Sequence, residues 1–193
     1  MSTAPRTRRP TLAVIGNGTL APGSKGERLA EEVGRRAIDA GFRLVTGGLG
    51  GVMAAASRGA HTSEAYREGD VVGLLPGPDP AAANEWVDVA LATGLGEARN
   101  LVVANSDVVV AIGGGAGTLS EMAFAWMRRR PVIALGTDGW SAELADRALD
   151  PRTDHGAPDP ARIHRARDPQ HAIELALHLE PLQRARHGGR RDG

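Results

Sequence analysis

Gly113-Gly114-Gly115-Ala116-Gly117-Thr118-Leu119-Ser120-Glu121 is the stretch of this chain whose residue types and spacing point most directly to chemistry. Glycine has no Cβ, so backbone N–H groups can approach an anion closely, and a helix N-terminus adds the positive end of its dipole. The stretch reads as a phosphate cradle. Glu121 is its candidate for chemistry. A carboxylate one turn into a helix, beside the positive dipole end, is expected to keep a low pKa and stay ionised, as a base or as a stabiliser of positive charge. A plainer role also fits, because Thr118-Leu119-Ser120-Glu121 has capping-box spacing, in which Glu121 only closes the helix. Arg99 and Asn100 are the next candidates. Each has its own plain reading, a solvated cation and a cap.

The elements that would position these residues follow from periodicity. Asp107 to Ile112 is a short apolar run rich in β-branched residues, and Met122 to Met127 suits a helix, giving strand, glycine loop, helix. Leu12 to Ile15 is an earlier strand ending in Gly16-Asn17-Gly18. Ser24-Lys25-Gly26-Glu27 has capping-box spacing and opens a helix that Gly41 stops. Phe42 to Val45 leads to Thr46-Gly47-Gly48-Leu49-Gly50-Gly51, and Val52 to Ala60 is a helix of small residues able to pack closely. Val71 to Leu75 is a strand stopped by Pro76-Gly77-Pro78, and Val87 to Leu91 is a short one. Val132 to Leu135 follows Pro131, one helical turn is expected around Glu143 in an Asp/Pro/Gly-rich connection from 136 to 160, and Ile163 falls in a short edge strand. Asp168-Pro169 caps the last helix.

Apolar strands alternating with helices predict an α/β fold, a doubly wound, mostly parallel, Rossmann-like sheet with helices on both faces. Ligands of such sheets sit outside the carboxyl ends of the strands, where strand order reverses. Gly16-Asn17-Gly18, Thr46-Gly47-Gly48 and Gly113-Gly114-Gly115 all fall at strand ends. The expected organisation is a disordered arm at 1–10, a single nucleotide-binding domain at 11–180 and a disordered Arg/Gly-rich tail at 181–193.

Composition excludes several classes. The 193 residues are 41% hydrophobic, enough for one core, and 23 basic residues balance 23 acidic ones, so no nucleic acid or membrane partner is expected. There is no cysteine, hence no disulfide framework or thiolate site, and the histidines lack metal-ligand spacing. Without an apolar leader or a span of about 18 apolar residues, a soluble, cytoplasmic protein is expected. Lys25 is the one lysine, which leaves little room for pyridoxal chemistry. Gly16-Asn17-Gly18-Thr19-Leu20-Ala21 matches the dinucleotide fingerprint GxGxxA. The second strand, however, ends in Thr46-Gly47-Gly48 where a ribose-binding Asp or Glu is required.

With these residues in view the chain resembles the LOG-type (Lonely Guy) superfamily, long labelled "lysine decarboxylase". That family's signature PGGxGTxxE is followed by Gly113 to Glu121 with Gly113 in place of proline. The resemblance covers residues 11 to 180 and extends to Thr46-Gly47-Gly48 with Gly51-Val52-Met53, to Gly73-Leu74-Leu75-Pro76, and to Thr93-Gly94 followed by Arg99-Asn100. It is strongest with the branch near the molybdenum-cofactor carrier proteins. The resemblance implies a homodimer that binds a nucleoside 5′-monophosphate and, as a phosphoribohydrolase, splits its N-glycosidic bond into free base and ribose 5-phosphate. Glu121 and Arg99 would be catalytic, with no cofactor or metal required. The phosphate and nucleotide would rest on Gly16, Asn17, Gly18, Thr46, Gly47, Gly48, Gly51, Met53, Asn100, Gly113, Gly114, Gly115, Gly117 and Thr118. Glu97-Ala98-Arg99-Asn100 departs from the longer basic MxxRK pattern of the cytokinin-activating members, a departure that bears on turnover more than on phosphate binding. The alternative implied is a carrier that holds a nucleotide or the molybdenum cofactor without turnover.

Overall fold

The apolar runs become the strands of one sheet, and the glycine-bearing turns that end them gather along one edge of it. A computed structural model describes residues 8–136, 138–150 and 162–188. In chain order the elements are β1 (Thr11–Gly16), α1 (Lys25–Asp39), β2 (Arg43–Thr46), α2 (Val52–His61), β3 (Val71–Leu75), β4 (Val89–Ala92), α3 (Asn100–Val103), β5 (Val108–Ile112), α4 (Ala116–Met127), β6 (Val132–Leu135), α5 (Gly139–Leu144), β7 (His164–Arg165) and α6 (Pro169–Gly188). All strand pairs are parallel, in the order β4-β3-β2-β1-β5-β6-β7. The doubly wound α/β expectation holds, with order reversing between β1 and β5.

Alternation along the strands divides the core into two layers. Leu12, Val14, Val108 and Val110 face α1, α2 and α6, whereas Ala13, Ile15, Val109 and Ala111 face α3, α4 and α5. On the first layer the small residues of α2 serve as expected. A Cβ on Gly34 of α1 would sit on the Ala56 carbonyl oxygen of α2, and one on Gly59 would sit on the Glu31 carbonyl oxygen. Ser24 caps α1 by accepting from the Glu27 N–H at 3.3 Å, while Glu27 reaches past the cap to the Gly23 N–H at 2.6 Å. The Asp168 carboxylate accepts from the His171 N–H at 2.8 Å and caps α6.

Described contacts reach into both terminal segments. Within the arm assigned to 1–10, Arg8 pairs with Asp107 at 2.6 Å, and Arg9 pairs with Asp70 and donates to the Phe42 carbonyl at 2.8 Å. These guanidinium groups meet carboxylates at the amino ends of the strands, partners far away in sequence. At the other end α6 continues through 181–188, into the expected tail. Residues 1–7, 137, 151–161 and 189–193, and with them part of the 136–160 connection, lie outside the described residues. No helix among the described residues is long and apolar enough to cross a membrane.

Candidate functional site

The β1 and β5 ends part at the reversal point, and α4 begins there. Gly115 is the N-cap residue of α4 and no side chain caps the helix, so the first N–H groups of Ala116, Gly117 and Thr118 open towards the cleft. Side chains from elsewhere fix the loop in front of it. Asn17 Oδ1 accepts from the Gly114 N–H at 3.0 Å, and the Thr118 hydroxyl donates to the Gly16 carbonyl at 3.2 Å. From the next strand end, Ser141 Oγ accepts from the Gly113 N–H at 2.8 Å, and Trp140 and Ser141 donate their own N–H groups to the Gly114 and Gly113 carbonyls. Gly113 has φ +65°. Proline, the family residue here, can neither adopt that angle nor supply the N–H that Ser141 receives.

A cavity of about 260 Å³ lies beside this cradle. Of the residues expected to form the site, Gly16, Gly18, Gly47, Met53, Arg99, Asn100, Gly115, Gly117, Thr118 and Glu121 line it. The remaining expected residues stand behind the wall. Asn17, Gly113 and Gly114 shape the loop; Thr46 is buried and accepts from the Gly48 N–H at 3.1 Å; the Gly48 carbonyl is held by Asn84; and Gly51 precedes α2, whose Val52 N–H donates to the Asn17 carbonyl. These are positions where the sequence pattern marks scaffold. Val14, Ile15 and Glu97 line the cavity and were not expected there. Nothing local signals the first two, but Glu97 stands in the same short segment as Arg99. Lys25, at the start of α1, is not among the lining residues.

Arg99 and Glu121 meet at the floor. Their closest approach, Nη1 to Oε1, is 3.4 Å, a long ion pair between buried side chains, and Arg99 Nε has no hydrogen-bond partner. Gly47 makes room for the guanidinium, since a Cβ there would lie 2.5 Å from Nη1 and 2.6 Å from both Nη2 and Met53 Sδ. Glu121 departs from expectation in two ways. It does not cap α4, which starts at Ala116 and therefore places Glu121 beyond the first turn. Nor does it keep a low pKa: burial pushes its carboxyl up to about 7, against the pull of the Arg99 charge and with a further push from Glu97. It is poised to donate or accept a proton near neutrality. Asn100 Nδ2 donates to Ser120 Oγ at 2.9 Å and ties the Arg99 segment to α4.

Residues 9–173 match the profile of the SLOG cluster4 family. The chain belongs to the SLOG cluster4 family. The LOG-type resemblance is thereby borne out at family level, and solved structures support it. The molybdenum cofactor binding protein of Rippkaea orientalis is 35% identical with a TM-score of 0.72, covering 89% of this chain and 98% of that one. The Moco carrier protein of Chlamydomonas reinhardtii is 33% identical with a TM-score of 0.71, over 91% and 99%. An uncharacterized protein of Archaeoglobus fulgidus is 37% identical over 125 residues, 64% of this SLOG chain and 78% of its own.

Proposed function

We propose that the chain is a carrier that grips a phosphate-bearing ligand at this cleft, and that its ligand is the molybdenum cofactor, held without turnover. The observation that carries the reading is the uncapped start of α4 opening beside a buried, incompletely bonded Arg99. Backbone N–H groups and a guanidinium are the donors that a phosphate and an oxygen- or nitrogen-rich heterocycle require. The residues present fit the organic part of the cofactor: Gly115 to Thr118 would take its phosphate, and Arg99 with Glu121 the ring system. When bound, the cofactor would supply molybdenum redox chemistry to a recipient enzyme. The two solved relatives named for that cofactor support this reading at 35% and 33% identity. Anaerobic purification followed by metal analysis tests it. About one molybdenum per chain, lost in Arg99→Ala, is the expected result, and an empty protein that fails to take up added cofactor would refute it.

A second reading, the phosphoribohydrolase, is favoured by the Arg99–Glu121 pair lining the cavity. With its carboxyl up near 7, Glu121 would act as a proton donor to the departing base, rather than as the ionised base the sequence implies. The C1′–N bond breaks with its electrons going to the base, which takes that proton, and water adds at C1′ while returning a proton to the Glu121 carboxylate, giving ribose 5-phosphate. Incubation with AMP, CMP, GMP and an isopentenyl-type AMP decides between the readings. Free base above the level of Glu121→Gln supports the hydrolase; intact nucleotides remove it. A homodimer in the cytoplasm is part of the proposal, with exposed Val102 of α3 and Met127 of α4 as apolar surface that a second copy would cover. Light scattering measures that directly.

A further inference from the structure

A cleft built only to hold a phosphate has no use for a carboxylate in its wall, yet Glu97 lines the same cavity as the cradle. Its negative charge adds to the push on Glu121, so its presence works against anion binding. Nor is Glu97 on a loose strap. Thr93 Oγ1 donates to the Leu75 carbonyl at 2.7 Å, the Gly94 N–H to Gly77 at 3.1 Å and the Gly96 N–H to Pro76 at 2.9 Å, fastening the segment to the end of β3. Gly94 and Gly96, both at positive φ, make the turn. At that fixed place Glu97 is exposed, with no ion pair or side-chain hydrogen bond among the described residues.

Strand spacing says which part of a ligand it would meet. The cradle sits at the ends of β1 and β5, and the Glu97 segment is anchored at β3, two to three strands away, or about 10–14 Å. The part of the ligand next to the phosphate, a sugar or the first ring of a fused system, would fall over β2, beside Arg99 and Gly47. The far edge of a heterocycle reaches Glu97. A carboxylate accepts two parallel N–H donors, and the heterocyclic edge that offers an amino group next to a ring N–H is the 2-amino-4-oxo-pyrimidine edge. Guanine and pterins share it; adenine and hypoxanthine lack it.

We infer that Glu97 is the specificity-determining residue of this cleft, selecting phosphate-bearing ligands with a 2-amino-4-oxo-pyrimidine edge. The inference rests on the phosphate site proposed above and adds its choice of heterocycle. Calorimetry with GMP, IMP, AMP and dGMP, on the full chain and on Glu97→Gln, tests it, with inorganic phosphate as a competitor. GMP should bind at least tenfold tighter than IMP or AMP, as for one charge-assisted hydrogen bond pair, dGMP should match GMP, and Glu97→Gln should bring GMP down to the IMP level while leaving IMP unchanged. Equal binding of GMP and IMP, or an unchanged preference in Glu97→Gln, overturns the inference and leaves the phosphate site standing. A loss with dGMP in place of the loss with IMP overturns it in favour of a sugar contact. Should neither the nucleotides nor phosphate bind, the inference and the phosphate site fall together.

Discussion

Replacing Glu121 with glutamine should stabilise the protein at alkaline pH and do little in mild acid. The cause is burial, which pushes the carboxyl from 4.5 up to about 7 on folding despite the Arg99 charge. Between those values the folded chain holds a proton that the unfolded chain has released, so stability falls as pH rises through the window and levels off above about 7. The full penalty is about 3 kcal/mol, most of it between pH 5 and pH 8. The Glu121→Gln protein would carry no such penalty, because the amide keeps the size of the neutral acid and has no proton to release. Urea unfolding of both proteins at pH 5, 6, 7 and 8 reads the difference. We expect a gain for the variant of at most about 1 kcal/mol at pH 5, rising to about 3 kcal/mol at pH 8, or roughly 6–12 °C in Tm. Parallel pH profiles would mean that Glu121 is not held near neutrality by its site, and the reasoning would fail. The destabilised carboxyl is one that lines the cavity, as expected where a site trades stability for chemistry.

Other substitutions address the walls of the site and the opposite end of the sheet. Gly47→Ala places a methyl against the flexible ends of Arg99 and Met53, so Tm should move by only a few degrees while ligand affinity falls about tenfold or more; unchanged affinity in calorimetry would show that Arg99 is not a ligand group. Gly113→Pro, which restores the family signature, should cost about 3 kcal/mol in urea unfolding because it removes the bond to Ser141 and forbids φ +65°; a neutral result would contradict the loop geometry. Asp107→Asn should cost about 2 kcal/mol at pH 7, since Asp107 accepts from the Thr11 N–H and hydroxyl and from Arg8. Burial alone would raise the Asp107 carboxyl, but Arg8 and Thr11 outweigh it and hold the pKa below 3.8. That contribution is therefore present above about pH 4 and lost as the carboxyl protonates below it, so the two proteins should converge in strong acid.

Much of this architecture was legible because local and tertiary demands coincide. Val108 to Ile112 is buried on both faces and so reads as an unbroken apolar run, and Gly113 to Gly117 interrupts it where the chain must turn at the strand end. Ser24 and Asp168 announce their helices by side chains that cap within three residues. Glu121 was misread for the converse reason. The capping-box spacing from Thr118 is real, but α4 starts two residues earlier, and the carboxyl is set first by burial, which no local pattern marks, and then by the opposing charges of Arg99 and Glu97 on another segment. Arg8 and Arg9 read as part of a disordered arm because their carboxylate partners, Asp107 and Asp70, lie far along the chain. The missed cavity wall residue Glu97 has no local mark beyond its neighbour Arg99.

The switch between β1 and β5 also bears on how the chain reaches this state. Two bonds that shape the cradle, Gly114 to Asn17 and Thr118 to Gly16, join residues 97 and 102 positions apart. During synthesis β1 to β4 emerge first and can pair in sequence, whereas the inner edge of β1 waits for β5 with its backbone unpaired, and Ala13 and Ile15 wait for α4 to cover them. Until β5 arrives, that edge is an open template for another chain. Long-range parallel pairing closes slowly, and neither the cradle nor its ligand can help before it is complete.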